Sequence, residues 1–166
     1  MAEKAIFINK EDFIAFTSAN GNLDADKFLQ FIWTAQDIHI QNYLGTDLYN
    51  KITEDQLSDS LQGDYLILRD KYISPLLINL GMATYLPFAS IRITNGGVFQ
   101  HSPEGSVSID SSQLGVLIGQ YERFSDNYAD KLVKYLCNNT SKFPEYSTNT
   151  DNEINPQKPN PTNWLI

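Results

Sequence analysis

Residues 64–86 constrain the fold of this chain more than any other stretch. Apolar side chains recur there at spacings of three and four, which is the pattern of a helix that is apolar around most of its circumference. The recurring positions are Tyr65, Leu68, Tyr72, Leu76, Leu80, Ala83 and Leu86. A helix of this length spans about 34 Å, which matches the diameter of a small domain. We therefore expect a central helix with partners on more than one side.

Pro75 lies inside this central pattern. Proline has no backbone N–H, so the carbonyl of Lys71 loses its usual helical partner. An interior proline costs a helix about 3 kcal/mol, and packing of the apolar faces must offset that cost. The sequence therefore predicts a central helix that is kinked at Pro75.

Two helices are predicted before the central one. Asn9 followed by Asp12 is typical of a helix start, and a short helix there would lie as a clasp over the core. The next helix opens at Asp24 or Asp26, because acidic residues favour a helix N-terminus. Gly45 provides a C-terminal stop for it. Both helices carry apolar residues at helical spacing.

Further elements follow on either side of the central helix. Residues 46–52 predict one or two helical turns, and the polar residues 53–59 predict an exposed loop. Asp110 with Gln113 resembles a capping pair that starts a last helix. Residues 114–136 carry an amphipathic stripe along that helix. The fold class is thus mainly α: a small bundle of about four helices.

A β-hairpin is predicted between the central helix and the last one. Residues 91–94 and 98–101 flank Asn-Gly-Gly, which is a strong local hairpin signal. An isolated two-stranded hairpin is marginal in water, so we expect it to pack on a neighbouring subunit; a hairpin folded back on its own helices remains the alternative. The candidate interface residues are Ile91, Ile93, Asn95, Gly96, Gly97, Val98 and Phe99.

The chain from Asn138 onwards is rich in Asn, Thr, Ser and Pro. We expect it to be extended rather than helical, because it has little to bury. It ends in Trp164, Leu165 and Ile166, an apolar tip that suits docking on another chain, although a frayed end without a partner is the alternative. The predicted organisation is a helical domain over residues 1–140 and a C-terminal arm over residues 141–166.

The net charge of −8, from 20 acidic and 12 basic residues, disfavours nucleic-acid binding. Affinity for phosphates comes largely from Lys and Arg, and no basic cluster is present. An acidic surface repels DNA, which suits a conduit that must not hold its cargo. The simpler alternative is that the acidity serves solubility.

No pattern of catalytic or metal-binding residues emerges. His39 and His101 lie on different elements without further ligands at metal-binding spacing, and the phosphate-loop, dinucleotide and nucleophile-elbow motifs are absent from the sequence. Cys137 is the sole cysteine, which excludes an internal disulfide, and its apolar neighbours predict an inert buried thiol. We expect a non-enzymatic protein with no catalytic residues, no metal and no cofactor.

The sequence also shows no signal peptide and no apolar run as long as a membrane span. We therefore expect a chain that is made in the cytosol and does not enter a membrane.

Three stretches together resemble one protein family. Asn42-Tyr43-Leu44-Gly45-Thr46-Asp47-Leu48-Tyr49 is similar to the LG-x-x-LY feature of the head-to-tail connector (adaptor) proteins of tailed bacteriophages. Asn95-Gly96-Gly97-Val98-Phe99-Gln100 with Pro103-Glu104-Gly105-Ser106 resembles the loop between their later helices. Tyr135-Leu136-Cys137-Asn138-Asn139 and Phe143-Pro144-Glu145-Tyr146 resemble the end of their last helix. The likeness covers residues 6–146, and it is greatest to the first ring protein below the portal in crAss-like phages.

This resemblance implies a structural virion protein at the head–tail junction, assembled in the host cytoplasm. Its partners would be the portal protein, neighbouring copies in a ring, a dodecamer by analogy with the portal, and further tail or ring proteins. DNA would pass through the channel without specific binding. By this resemblance, the contacts between copies in the ring would lie within residues 91–101. Docking on other proteins would involve Trp164, Leu165 and Ile166. The alternative function is a cytosolic helical adaptor that binds one small partner without enzymatic activity.

Overall fold

The computed structural model describes residues 5–8, 10–16, 25–89, 91–94, 97–100, 110–148 and 154–156. The chain there is mainly α-helical and forms a small helical bundle. Its helices are α1 Lys10–Phe16, α2 Ala25–Ala35, α3 Gln41–Leu44, α4 Thr46–Leu57, α5 Gly63–Leu68, α6 Ser74–Tyr85, α7 Ser111–Asn138 and α8 Pro144–Thr148. The strands are β1 Ile91–Thr94 and β2 Gly97–Gln100.

The predicted second helix runs continuously into Gly45, but it is not uniform. A π-helical turn, Gln36–Ile40, separates α2 from α3. The extra residue in this turn rotates Ile40 fully into the core and leaves His39 half-buried. Gly45 ends α3 with a φ of 77°, a conformation that disfavours other residues, and donates its N–H to the Gln41 carbonyl.

The central helix accommodates Pro75 by forming a second π-helical turn, Arg69–Ile73, just before it. Ser74 donates its N–H to the carbonyl of Arg69, five residues back. Pro75 then lies in the first turn of α6, where its missing N–H costs least. Leu76, Leu77 and several neighbours are fully buried, as the apolar pattern predicts.

The two π turns hold the N-terminal segment in place. The buried Gln36 side chain donates to the Ala5 carbonyl at 2.9 Å and accepts from the Phe7 N–H at 2.9 Å. Ser74, directly after the second π turn, donates its hydroxyl to the Phe7 carbonyl at 3.0 Å. Phe7 itself is completely buried. The segment is therefore part of the core, and its backbone groups are satisfied by side chains rather than by a helix or a sheet.

α1 fits the predicted clasp, because Phe13 is buried against Phe28 with ring centroids 4.1 Å apart. The predicted loop over residues 53–59 is wrong in its first part, since α4 continues to Leu57. Lys51 and Asp55 form an ion pair one turn apart at 2.7 Å, which supports the added turns.

The prediction of an arm without helix from Asn138 onwards is also wrong. α8 begins at Pro144, a residue that is well tolerated in a first helical turn. Phe143 is fully buried and Tyr146 nearly so. Tyr65 donates its hydroxyl to Glu145 at 2.9 Å, and Lys142 pairs with Asp64 at 2.8 Å. The first residues of the predicted arm thus pack into the bundle.

The chain is anchored once more further on. Thr46 donates its N–H to the Ile154 carbonyl at 3.0 Å, and the Thr46 hydroxyl accepts from the Ile154 N–H at 3.1 Å. This two-point contact fixes residue 154 at the start of α4. Cys137, which the sequence predicts to be buried, is exposed, with its sulfur 3.8 Å from the Tyr146 hydroxyl. It lies on the solvent side of α7, one position after the buried Leu136.

Candidate interaction surface

The longest of the described helices, α7, is 28 residues long and spans about 42 Å. Asp110 caps its start by accepting the Gln113 N–H at 2.8 Å, as the sequence predicts. α7 runs antiparallel to α6, because Tyr72 before α6 stacks on Tyr135 near the end of α7, while the 3₁₀ turn Leu86–Phe88 after α6 also contacts α7. The start of α7 therefore extends past the end of α6.

The second half of α7 is built into the core. Ser125, Ala129, Leu132, Val133 and Leu136 are buried along it. The Tyr72 and Tyr135 rings stack with centroids 4.0 Å apart. This half contributes to the same apolar cluster as α2 and α6. Its role is thus structural.

The first half of α7 carries a similar apolar pattern, but much of it faces solvent. Leu114, Leu117, Tyr121 and Phe124 share one side of the helix at spacings of three, four and three, and we call these residues the α7 face. Leu117 is 36% exposed and Phe124 is 48% exposed, while Leu114 and Tyr121 are half-buried. The Tyr121 and Phe124 rings meet edge-on at 6.3 Å. The spacing is that of a packed helical seam.

The backbone around the α7 face is equally open. A Cβ atom added at Gly115 or Gly119 would meet no atom of the described residues within 4 Å. Val116, between them, is 65% exposed. Glycine lowers helix stability relative to alanine, and the described part of the subunit gives no packing reason for either glycine. Space for a close neighbour at this part of α7 is therefore available.

The two halves of α7 also differ in their number of charged residues. Residues 111–124 contain one acidic and one basic residue, Glu122 and Arg123, whereas the second half contains Asp126, Asp130, Lys131 and Lys134. Both halves have zero net charge, but the first half carries two charged residues against four in the second. A low density of charge together with exposed apolar side chains is typical of a protein-binding surface.

Of the predicted hairpin residues, 91–94 lie in β1 and 97–100 lie in β2. These strands pair antiparallel, with Ile91 opposite Gln100 and Thr94 opposite Gly97. Among the described elements, neither strand makes extensive contact with a helix. The predicted interface residues Asn95 and Gly96 lie outside the described residues, as do Trp164, Leu165 and Ile166.

Sequence reasoning missed the α7 face as a site. The apolar stripe is visible in the sequence, but it indicates burial in the subunit as readily as burial against a partner. The sequence holds no signal that separates the two, because the central pattern over residues 64–86 and the stripe over residues 114–136 are equally long.

A small polar cavity of about 230 Å³ lies at the first π turn. It is lined by His39, Asn42, Tyr43 and Asn155. Burial lowers the pKa of His39, and burial, followed by the charges of Asp126 and Asp130, raises the pKa of Tyr43. These groups would be neutral near pH 7, so the cavity offers hydrogen bonds rather than charge.

The described part of the chain contains no group of three or more His, Cys, Asp and Glu side chains that could hold a metal ion. Over the same residues, no helix combines the length and the apolar character needed to cross a membrane.

Comparison with protein families gives a match. The model of a family of unknown function, DUF6712, matches residues 40–156, which is more than half of the chain. The match begins at the last residue of the first π turn and ends just after the anchored Ile154. No curated protein and no solved structure matches the chain.

Proposed function

We propose that this chain, which belongs to the DUF6712 family of unknown function, is a structural subunit of a tailed-bacteriophage virion. Copies of it form a ring between the portal protein and the tail, at the head–tail junction, and continue the DNA channel. The subunit is assembled in the host cytoplasm, and it has no enzymatic activity and needs no cofactor. This ring assembly is the one that the resemblance to the head-to-tail connector proteins of tailed bacteriophages implies.

The α7 face is the observation that carries this proposal. Large apolar side chains grouped on an exposed helix commonly mark a surface that another protein covers. Leu117 and Phe124 lie on such a helix, next to two glycines that leave room for a close neighbour. Full burial of a leucine or aromatic side chain contributes about 2 kcal/mol, so covering the exposed part of Leu117 and of Phe124 would contribute about 1 kcal/mol each, which adds up in a repeated contact.

The hairpin gives a second, weaker line of support. A two-stranded sheet has little stability without further packing. β1 and β2 pair with each other and lack extensive contact with the described helices. Packing against an adjacent copy in a ring would complete the burial of this hairpin, in the region where the resemblance places ring contacts.

The charge of the chain fits a channel component. An excess of acidic residues disfavours adhesion of DNA to the wall, and it also makes neighbouring subunits repel each other at long range. The nearly neutral first half of α7 is suited to subunit contact, because apolar burial there is not opposed by like charges.

Electron microscopy of the parent particle tests the proposal directly. We expect a closed ring of this chain between portal and tail, with α7 at a subunit boundary. A ring is the arrangement that heterologous contacts produce when they close. Absence of the chain from the head–tail junction would contradict the proposal.

Mass measurement separates the ring from the alternative of a helical adaptor. Mixed with the portal protein, a connector should give a multi-copy complex, whereas an adaptor should give a defined small complex with one partner. The polar cavity at His39 and Tyr43 is the feature that would favour a small partner.

A pair of matched variants links the assembly to the α7 face. Leu117→Asp places a charge on that face and should abolish ring formation while the subunit stays folded, as seen by circular dichroism. Phe16→Asp is the control, because Phe16 is 74% exposed and lies at the end of α1 rather than on α7. Equal loss of rings in both variants would argue against the α7 face.

A further inference from the structure

The C-terminal tip and the α7 face are complementary in chemistry. The tip, Trp164, Leu165 and Ile166, is apolar and follows a polar, proline-containing segment with one basic residue, Lys158. Aromatic side chains such as Trp are frequent anchors in protein interfaces. The α7 face is apolar and lies in the half of α7 with fewer charged residues. Contact between the two would therefore remove apolar surface of both from water.

The structure fixes where the tail leaves the body. Ile154 is held by two hydrogen bonds to Thr46, and Asn155 lines the cavity with Tyr43. α3, which carries Tyr43, contacts α7. Asp126 and Asp130 of α7 lie close enough to Tyr43 for their charges to raise its pKa, although burial is the larger cause. Residues 154 and 155 are therefore held beside the middle of α7.

The remaining chain is longer than the axial distance between its anchor and the α7 face. In a polyproline-like conformation, the segment from Pro156 to Trp164 spans about 25 Å. Along α7, the distance from Asp126 to Leu117 is about 14 Å. The tail thus has more length than the axial distance requires, and the excess is available for crossing to a neighbouring copy.

We propose that Trp164, Leu165 and Ile166 of one copy pack on the α7 face of the adjacent copy. This inference rests on the proposed ring. Each subunit gives one tail and receives one tail, so the contact is heterologous and repeats around a closed ring. It also gives Leu117 and Phe124 a specific occupant.

Photo-cross-linking in the assembled particle tests this contact. The full-length chain carries a photoreactive amino acid in place of Trp164, and illuminated particles are analysed by mass spectrometry. We expect a covalent dimer of this chain in which position 164 is joined to a residue within 111–124. The same amino acid in place of Ile166 provides a second variant if position 164 does not tolerate the change.

Two controls sharpen the result. The photoreactive amino acid in place of Ser147, an exposed residue of α8, should give at most a tenth of the dimer joined to residues 111–124. Leu117→Ala, which removes apolar surface from the α7 face without adding a charge, is combined with the probe at 164 and should reduce that dimer at least threefold in assembled particles.

Other products of the cross-linking would overturn the inference. These are a cross-link within a single chain, a cross-link to a different protein, or a dimer joined outside residues 111–124. If microscopy shows the ring and one of these products appears, the tail contact is wrong and the proposed function stands. If microscopy shows no ring of this chain, the proposed function fails and the tail contact fails with it.

Discussion

The two halves of α7 have the same kind of sequence pattern but different surroundings. From Ser125 onwards, the apolar side is buried against α6 and the second π turn. Before Ser125, Leu117 and Phe124 are exposed and the glycines have open space around them. An amphipathic stripe therefore indicates which side chains need to be buried. Whether they are buried within the subunit depends on how far the helix packed against them extends.

The largest expected effect comes from making the same substitution in each half. Leu132→Ala should lower the free energy of unfolding by about 2–5 kcal/mol, because Leu132 is fully buried and its removal leaves a cavity. Leu117→Ala should change the free energy of unfolding by less than about 1 kcal/mol, because Leu117 is partly exposed. Chemical denaturation of both variants measures the difference. Similar losses in the two would mean that the halves are not distinct.

The second prediction tests whether the buried body depends on its polar clamp. Gln36→Leu leaves the Phe7 N–H and the Ala5 carbonyl without their partner, which should lower the free energy of unfolding by about 2–4 kcal/mol. Gln41→Leu is the control, because the Gln41 amide makes one long bond of 3.4 Å to Thr46. Its loss should cost less than about 1 kcal/mol. A tolerated Gln36→Leu variant would show that residues 5–8 are not held in this way.

The third prediction compares glycines inside and outside the core. A Cβ at Gly81 would overlap the Ile32 side chain, which is itself buried, so Gly81→Ala should lower the free energy of unfolding by about 1 kcal/mol or more. Gly119→Ala should raise it by about 0.5–1 kcal/mol, because alanine favours the helix and meets nothing.

Thermal unfolding of the Gly81→Ala and Gly119→Ala variants checks these signs. The more informative observation is made on assembled rings. If a neighbour packs closely at Gly119, the Gly119→Ala variant should be more stable as a subunit and yet assemble less well. A variant that gains in both respects would show that the open space at Gly119 is not used.

The smallest effect concerns the contact that fastens α8 to the body. Burial, followed by the hydrogen bond to the Glu145 carboxylate, raises the pKa of Tyr65 to about 12. The folded state therefore holds this proton more tightly than the unfolded state, so its contribution is complete below pH 10 and is lost as the pH rises towards 12.

Tyr65→Phe should accordingly weaken the loss of stability between pH 10 and pH 12 and cost about 1 kcal/mol or less at pH 7. Denaturation midpoints at a series of pH values give the comparison with the unmodified chain. An unchanged slope would show that the Tyr65 and Glu145 contact does not contribute to stability.

Much of the fold follows from local pattern. The central helix, the stop at Gly45 and the cap at Asp110 are each specified by a few neighbouring residues, and the structure confirms them. The π turns were not predictable, because Gln36 and Ser74 act on residues 5–8, which are distant in sequence. α8 escapes prediction because the polar, proline-rich composition after Asn138 suggests little to bury, whereas Phe143 and Tyr146 are buried and proline is well tolerated in a first helical turn.

The candidate site was predictable only in part. β1 covers the predicted residues 91–94, and β2 begins one residue earlier than predicted, at Gly97, but a sequence does not state what a hairpin packs against. The α7 face was not predicted as a binding surface, because apolar residues at helical spacing form the same pattern whether their partner is in the same chain or in another. Distinguishing the two requires the end of α6, which is a property of the folded bundle.

Side-chain oxidation by hydroxyl radicals at Phe124 tests the central claim most directly. Phe124 is reactive and half-exposed in the single subunit, so we expect efficient oxidation in the purified chain and strong protection in the assembled particle. Phe16 reports the general accessibility of the chain in both samples. Equal oxidation of Phe124 in the free chain and in the particle would contradict the account, because the α7 face would then remain uncovered where it is proposed to be buried.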